Sequence, residues 1–116
     1  MPLERELRGD VHVLVPRKDL LGGKETQELQ KAIEEIVEAG SPRIVVDLGK
    51  ISHMTSVGLG VLVGAHTRCI RREGWLRIAR VGRRIKDLFL VTKLTLVLDT
   101  YDSIEDAVAQ VPRGDA

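Results

Sequence analysis

The sequence predicts an α/β domain in which a mixed, mostly parallel sheet of about five strands is covered by four helices. Strand-like apolar runs alternate with helical stretches in the order β-β-α-β-α-β-α-β-α, and helices of this length between strands indicate crossover connections. Ile44, Val45 and Val46 are consecutive β-branched residues, which is typical of a central strand buried on both faces. With 116 residues, of which 43% are hydrophobic, the chain suffices for one core, so we predict one domain over residues 1–116 with its core at about 3–111.

The first half of the chain predicts a hairpin, a helix and the central strand. Residues 3–8 form a weak strand and residues 11–15 a stronger one, with the turn signal Gly9-Asp10 between them. A helix is predicted over 24–39, because its apolar residues recur at the spacing of one buried helical face. Those residues are Leu29, Ala32, Ile33, Ile36 and Val37. Gly40 and Pro42 are typical of the end of such a helix.

The second half predicts three further helices and two strands. A helix over 56–72 places Gly58, Val61, Leu62, Ala65 and Cys69 on one stripe, and Gly74 follows its end. Residues 75–81 are predicted to form a strand, residues 83–91 a short helix and residues 96–98 a short buried strand. Residues 102–105 resemble a capping box that opens a last helix reaching Val111, and residues 112–116 are predicted to be a frayed tail.

Composition argues against several classes of function. The single cysteine, Cys69, excludes an internal disulfide, and His53 and His66 have no second ligand at metal spacing, so no metal or cofactor is expected. No nucleophile-elbow arrangement of Ser, His and Asp is visible, which points away from an enzyme. No apolar run approaches the roughly 18 residues of a membrane span, and no signal peptide is visible, so a cytoplasmic protein is expected.

Charge is distributed unevenly although the net charge is only +1. Residues 68–93 hold nine basic side chains against two acidic ones, and residues 25–38 are rich in glutamate. The near-neutral total and the scarcity of aromatics argue against direct binding to nucleic acid. The basic stretch, which includes Arg77, is therefore predicted to form a solvated face or a docking face for an acidic protein.

The most informative segment is residues 53–62, His-Met-Thr-Ser-Val-Gly-Leu-Gly-Val-Leu. A strand that feeds a helix through a short turn places Thr55 and Ser56 at a helix N-terminus near the carboxyl edge of the sheet. A hydroxyl there can cap the helix, bind an anion or accept a phosphate. As a simple N-cap, Ser56 would be worth about 1 kcal/mol. Asp47, at the end of the central strand, is expected to support this loop through hydrogen bonds.

The same residues, with their surroundings, resemble the STAS domain, the module of bacterial anti-sigma factor antagonists and of sulfate transporter tails. The resemblance spans about residues 3–111 and depends on residues 44–48, 51–62, Gly74 with the following strand, and 101–107. The usual central pattern of the family is Met-Asp-Ser-Ser/Thr-Gly-Leu-Gly. This chain departs from it at Thr55, which replaces the acid, at Val57, which replaces a second small hydroxyl residue, and at His53, where a large apolar residue is common.

The resemblance implies a regulatory phosphorylation site. In the antagonists, a serine kinase that doubles as an anti-sigma factor phosphorylates the serine after the acid, which maps to Ser56. The unphosphorylated form binds that kinase and frees the sigma factor, and a phosphatase restores it. Thr55 supplies a second candidate acceptor. The helix spacing predicts a partner surface that consists of Thr55, Ser56, Val57, Gly60, Gly64 and Thr67. The protein is expected to be a monomer or a weak homodimer.

Two other functions stay open beside the antagonist. The atypical Thr55 and the basic stretch also suit a STAS module of a stressosome-type scaffold or of a transporter accessory complex. A small enzyme or nucleotide-binding protein is supported only by the helix N-terminus at the sheet edge. Gly60 and Gly64, four residues apart, are either tolerated glycines or a flat helix surface that lets a partner approach closely.

Overall fold

A computed structural model describes residues 3–40 and 42–109 as one five-stranded sheet with helices on both faces. In chain order the elements are β1 (Leu3–Arg8), β2 (Val11–Pro16), α1 (Lys24–Ala39), β3 (Arg43–Asp47), α2 (Ser56–Arg71), β4 (Trp75–Ala79), α3 (Arg83–Val91), a 3₁₀ helix (Leu94–Leu96), β5 (Asp99–Tyr101) and α4 (Ile104–Ala109). The mixed, mostly parallel sheet and the four α-helices are as the sequence predicts.

The strands lie in the sheet in the order in which they occur in the chain. β1 and β2 form an antiparallel hairpin whose turn contains Gly9 at a φ of 64°. β2, β3, β4 and β5 are parallel neighbours, with Val13 opposite Val45 and Val45 opposite Arg77. Their carboxyl ends therefore meet at one edge of the sheet, together with the loops that lead into α2 and α3.

The sheet separates a large apolar core from a small one. On one face, α1, α2 and α3 pack over Leu14, Ile44, Val46 and Ile78. On the other face, α4 packs through Ala107 over the valines of β2 and β3. Ile44, Val45 and Val46 are each 0% exposed, so β3 is buried on both faces and its uninterrupted β-branched run is explained.

The predicted strand at 96–98 is wrong. Lys93 adopts a φ of 62° at the end of α3, and the N–H groups of Val97 and Leu98 both donate to the carbonyl of Leu94. These local hydrogen bonds close a 3₁₀ turn, in which Leu96 is 82% exposed. The strand follows directly after it, since Arg77, Ile78 and Ala79 of β4 pair with residues 99–101.

The ends of β4 and α2 differ from the predicted ends by one or two residues. β4 ends at Ala79 rather than at Val81, because Arg80 adopts a left-handed φ of 57° that turns the chain out of the sheet. α2 ends at Arg71, one residue before the predicted end. The predicted helical residue Val111 and the predicted tail at 112–116 lie outside the described residues.

Arg77 is an exception to the predicted basic face, because it is buried inside the molecule at 2% exposure. Its guanidinium carbon lies 3.7 Å from the centroid of the Trp75 ring, and its Nη1 donates to the carbonyl of Ala107 over 2.7 Å. The side chain thus ties β4 to α4 across the smaller core. The sequence stretch is predominantly basic, but strand alternation directs this one arginine inward.

Cys69 gives a simple test of this packing. Its side chain is 0% exposed, and burial raises the pKa of the thiol to about 11. We expect the folded protein to react with an aromatic disulfide reagent at pH 8 at least about 100-fold more slowly than the protein in denaturant, because only the exposed thiolate reacts. Equal rates in the two conditions would contradict the burial of Cys69 beneath α2.

Candidate functional site

The β3–α2 loop, residues 48–55, leads from the central strand into α2 and is fastened to the β2–α1 loop, residues 17–23. Leu20 donates its N–H to the carbonyl of His53 over 3.2 Å and accepts the N–H of Thr55 over 3.0 Å. Leu20 and Met54 thereby form a parallel β-bridge. These two backbone hydrogen bonds fix the position of the residues that immediately precede Ser56.

Ser56 is the first helical residue of α2, and the N-cap position belongs to Thr55. The sequence interpretation of Ser56 as an N-cap is therefore wrong by one residue. Thr55 makes no side-chain cap hydrogen bond, and its Oγ1 is buried without a hydrogen-bond partner among the described residues. Ser56, in contrast, is exposed. The two adjacent residues thus differ in exposure, since Thr55 is half-buried with its hydroxyl oxygen inaccessible and Ser56 is exposed.

Gly58 is buried where α2 passes over the β2–α1 loop. A Cβ atom built on Gly58 would come within 2.8 Å of both the carbonyl oxygen of Leu20 and Cγ of Met54. Gly58 therefore packs closely against the β2–α1 and β3–α2 loops, which explains a glycine on the buried stripe of α2. A larger residue here would displace the loops that position the start of α2.

The other predicted partner-binding residues of α2 share one exposed face. Val57 is 55% exposed, and a Cβ atom added at Gly60 or Gly64 would meet no atom within 4 Å. Thr67 is exposed and donates its hydroxyl to the carbonyl of Val63. Beside the two glycines, a shallow groove of about 140 Å³ separates α2 from α1 and is lined by Gln30, Ile33, Gly60, Val61, Gly64, Ala65 and Arg68. The structure thus places five of the six predicted residues on an accessible helix face, while the hydroxyl of Thr55 is buried.

Asp47 lies at the end of β3 with only 2% of its surface exposed. Its Oδ1 accepts the N–H of Gly49 over 2.8 Å and the Nε–H of Arg80 over 3.1 Å. The guanidinium of Arg80 lies directly against Gly49, where a Cβ atom would overlap it. Asp47 and Arg80 together hold the start of the β3–α2 loop. The role of Arg80 could not be predicted from local pattern, because its partner Asp47 is 33 residues away.

A chain of polar contacts that sequence reasoning missed runs through His53. Asp19 accepts the N–H groups of Ser52 and His53 through Oδ1, over 2.8 and 3.2 Å, and its Oδ2 lies 3.3 Å from Nδ1 of His53. On the other side of the ring, Nη1 of Arg84 lies 2.7 Å from Nε2. Because a guanidinium only donates, Nε2 is the acceptor and Nδ1 carries the proton toward Asp19. The chain joins the β2–α1 loop, the β3–α2 loop and α3.

This arrangement predicts how stability depends on pH. The N–H of Ser52, followed by the N–H of His53, lowers the pKa of Asp19 below its ordinary value of 3.8. A carboxylate with a lowered pKa stabilises the fold above its unfolded pKa, and the stabilisation is lost as the pH falls through the folded value. We expect Asp19→Asn to be less stable than the natural chain by about 1 kcal/mol at pH 7, a modest figure because the carboxylate is partly exposed.

Urea unfolding of the two proteins at several pH values checks this. The difference in the free energy of unfolding between the two proteins should be present above about pH 4 and narrow as the pH falls below that value. A difference that grows toward low pH would contradict the assignment.

Two clefts of about 380 Å³ each flank the β3–α2 loop where it meets α3. The first, the apolar cleft, is lined by Ser52, His53, Met54, Arg84, Ile85, Asp87, Leu88 and Val91. The second, the arginine cleft, is lined by Gly49, Ile51, Ser52, His53, Gly82, Arg83, Arg84 and Ile85.

Within residues 3–40 and 42–109, no helix has the length and apolar character needed to cross a membrane.

Comparison with known proteins identifies the family. The profile of the STAS domain matches residues 4–107. A candidate anti-sigma factor antagonist of Thermotoga maritima is 26% identical over 106 residues, which cover 90% of this chain and 92% of that protein.

Solved structures show the same fold. The crystal structure of a candidate anti-sigma factor antagonist from Thermotoga maritima has a TM-score of 0.83 at 21% identity and covers 91% of each chain. The phosphorylated form of the Bacillus cell fate determinant SpoIIAA has a TM-score of 0.72 at 16% identity and covers 91% of this chain and 96% of its own. Because the family profile spans nearly all of the described residues, this chain belongs to the STAS domain family.

Proposed function

We propose that the chain is a cytoplasmic anti-sigma factor antagonist that binds an anti-sigma factor with serine kinase activity through the exposed face of α2. The observation that carries this proposal is the accessible Ser56 at the first position of α2, next to exposed Val57 and the uncovered glycines Gly60 and Gly64. The relatives named above as anti-sigma factor antagonists support the same role. The proposed activity is binding, with no reaction catalysed by the chain itself.

Ser56 is the proposed phosphate acceptor, in preference to Thr55. A kinase must reach the hydroxyl oxygen from solvent, and Oγ1 of Thr55 is buried whereas Ser56 is exposed. The backbone hydrogen bond from Thr55 to Leu20 further holds Thr55 against the β2–α1 loop. Phosphorylation of Thr55 would therefore require the loop to open, and phosphorylation of Ser56 would not.

The proposed switch is local. A phosphate brings about −1.5 to −2 charges and three acceptor oxygens. The first turn of α2 contains no acidic residue, so the N-terminal end of the helix accommodates this charge without refolding. A partner packed over Ser56 would lose both shape fit and electrostatic fit, and a phosphatase would restore binding by removing the group.

A binding experiment with a serine-kinase anti-sigma factor and its sigma factor tests the proposal. The unmodified chain should bind the anti-sigma factor in calorimetry and release the sigma factor from it. Gly60→Leu should weaken this binding by about tenfold or more, because the added side chain lies on the contact face. The variant should still fold, because a Cβ atom added at position 60 meets no other atom within 4 Å. Gln27→Leu on α1 is the matched control and should bind normally.

Absence of binding, or equal binding by Gly60→Leu, would contradict the proposed contact face. If the natural chain instead co-elutes with large assemblies and binds no anti-sigma factor, the scaffold alternative replaces the antagonist.

A further inference from the structure

The geometry points to a second ligand site, in which the arginine cleft binds a phosphate monoester or an equivalent dianion. This site lies between the loop after β3 and the start of α3, and its lining residues do not include Ser56. The inference is independent of the proposed antagonist function, because it needs neither a kinase nor a modified serine.

The cleft has the size and the charge that a small phosphorylated ligand requires. Its volume of about 380 Å³ falls within the range of small-ligand pockets. Arg83 and Arg84 both line it, and among its described lining residues there is no aspartate or glutamate. The guanidinium of Arg80 lies against Gly49, another lining residue, and adds N–H donors at the rim, while its charge is balanced by the ion pair with Asp47.

Two of these arginines are held in place before any ligand arrives. Arg84 donates to His53, which Asp19 orients in turn, and Arg80 donates through Nε to Asp47. Each uses one edge of its guanidinium in these contacts, which leaves other N–H donors for an anion. Side chains that are already ordered lose less conformational entropy on binding, so the same hydrogen bonds give a higher affinity.

Arg83 is the arginine free to close on the ligand. Its side chain makes no hydrogen bond or ion pair within the part of the chain that the structure describes, and the residue is exposed at the first position of α3. Gly82, the N-cap residue of α3, has no side chain that could accept a hydrogen bond from the first turn, and that turn contains no acidic residue. The backbone N–H groups at the start of α3 therefore add to the positive potential.

Arginine side chains favour phosphate because two parallel N–H groups match two phosphate oxygens. A phosphate monoester could come from a free small molecule or from a phosphorylated side chain on another protein. Both sources present the same dianionic group. The two sources are distinguished by comparing the affinity for free phosphate with the affinity for a phosphorylated peptide.

The test is a titration followed by amide chemical shifts at constant ionic strength, with inorganic phosphate, a phosphoserine peptide and the same peptide without phosphate. We expect saturable shifts at Ser52, Gly82, Arg83 and Arg84 with both phosphate ligands and none with the unphosphorylated peptide. Tighter binding of the phosphopeptide would identify a protein source, and equal affinities would identify a free phosphate.

Arg83→Gln should weaken binding about tenfold or more through loss of a charge-assisted hydrogen bond, and it leaves the fold intact because Arg83 supports no other described residue. Arg71→Gln, on an exposed arginine in the last turn of α2, is the charge-matched control and should bind as the natural chain does. The inference is overturned if no saturable shifts occur at these amides, or if Arg83→Gln and Arg71→Gln weaken binding equally.

Discussion

Replacing Arg77 by alanine is expected to lower the free energy of unfolding by about 3 to 5 kcal/mol. Arg77 is 2% exposed, and its guanidinium stacks on Trp75 at 3.7 Å and donates to the carbonyl of Ala107. Truncation removes a charge-assisted hydrogen bond worth about 1.5 to 3 kcal/mol and a desolvated cation–π contact worth about 2 kcal/mol. It also leaves a cavity between β4 and α4, so the loss exceeds that of an ordinary surface arginine.

Two further variants test whether the loss of stability comes from the volume and the buried position of the Arg77 side chain. Arg77→Met keeps most of the buried volume and should lose roughly half as much, since a hydrophobic replacement of similar size avoids the cavity. Arg71→Ala removes an exposed arginine and should change stability by no more than about 0.5 kcal/mol. Urea unfolding measures the free energy of unfolding of the natural chain and of the three variants. A loss below about 1 kcal/mol for Arg77→Ala would contradict the buried placement of Arg77.

Replacing Ser56 by glutamate is expected to weaken binding to the anti-sigma factor by about 100-fold or more, equivalent to about 2.7 kcal/mol. The substitution places a carboxylate on the proposed contact face without disturbing the helix, because an acid in the first turn suits the helix dipole. Ser56→Ala should bind nearly as well as the natural chain, since the exposed hydroxyl makes no described hydrogen bond that the fold needs. Calorimetry with the same anti-sigma factor measures the affinities.

Gln27→Glu, which adds the same charge on α1, controls for net charge and should bind normally. Thermal unfolding of Ser56→Glu within a few degrees of the natural chain would show that lost binding reflects the interface rather than the fold. Normal binding by a folded Ser56→Glu would place the contact face elsewhere.

Much of the fold follows from local pattern. The β-branched run at 44–46 is buried on both faces as its composition predicts, and α1 buries the same apolar stripe that its spacing indicates. These predictions succeed because strand burial and helix periodicity are properties of neighbouring residues. The strand at 96–98 fails for the opposite reason. Its apolar composition suits a strand, but the turn after Lys93 decides which residues reach the edge of β4.

The candidate site was predictable in position but not in its supporting contacts. The spacing of β3 and α2 places Ser56 at the sheet edge, and residues from distant parts of the chain then determine its surroundings. Asp19 and Arg84 meet at His53 across separations of 34 and 31 residues, and no local pattern records such pairs. The contrast between the buried hydroxyl of Thr55 and the exposed Ser56 likewise depends on the β-bridge between Leu20 and Met54.

The most direct test of the central claim is to phosphorylate the natural chain with a serine-kinase anti-sigma factor and ATP, and to map the site by peptide mass spectrometry. The structure-based account predicts one phosphate, on Ser56, and loss of anti-sigma factor binding in proportion to its occupancy. Phosphate on Thr55 with Ser56 unmodified, or no phosphate in a reaction where the kinase is active on itself or another substrate, would contradict it.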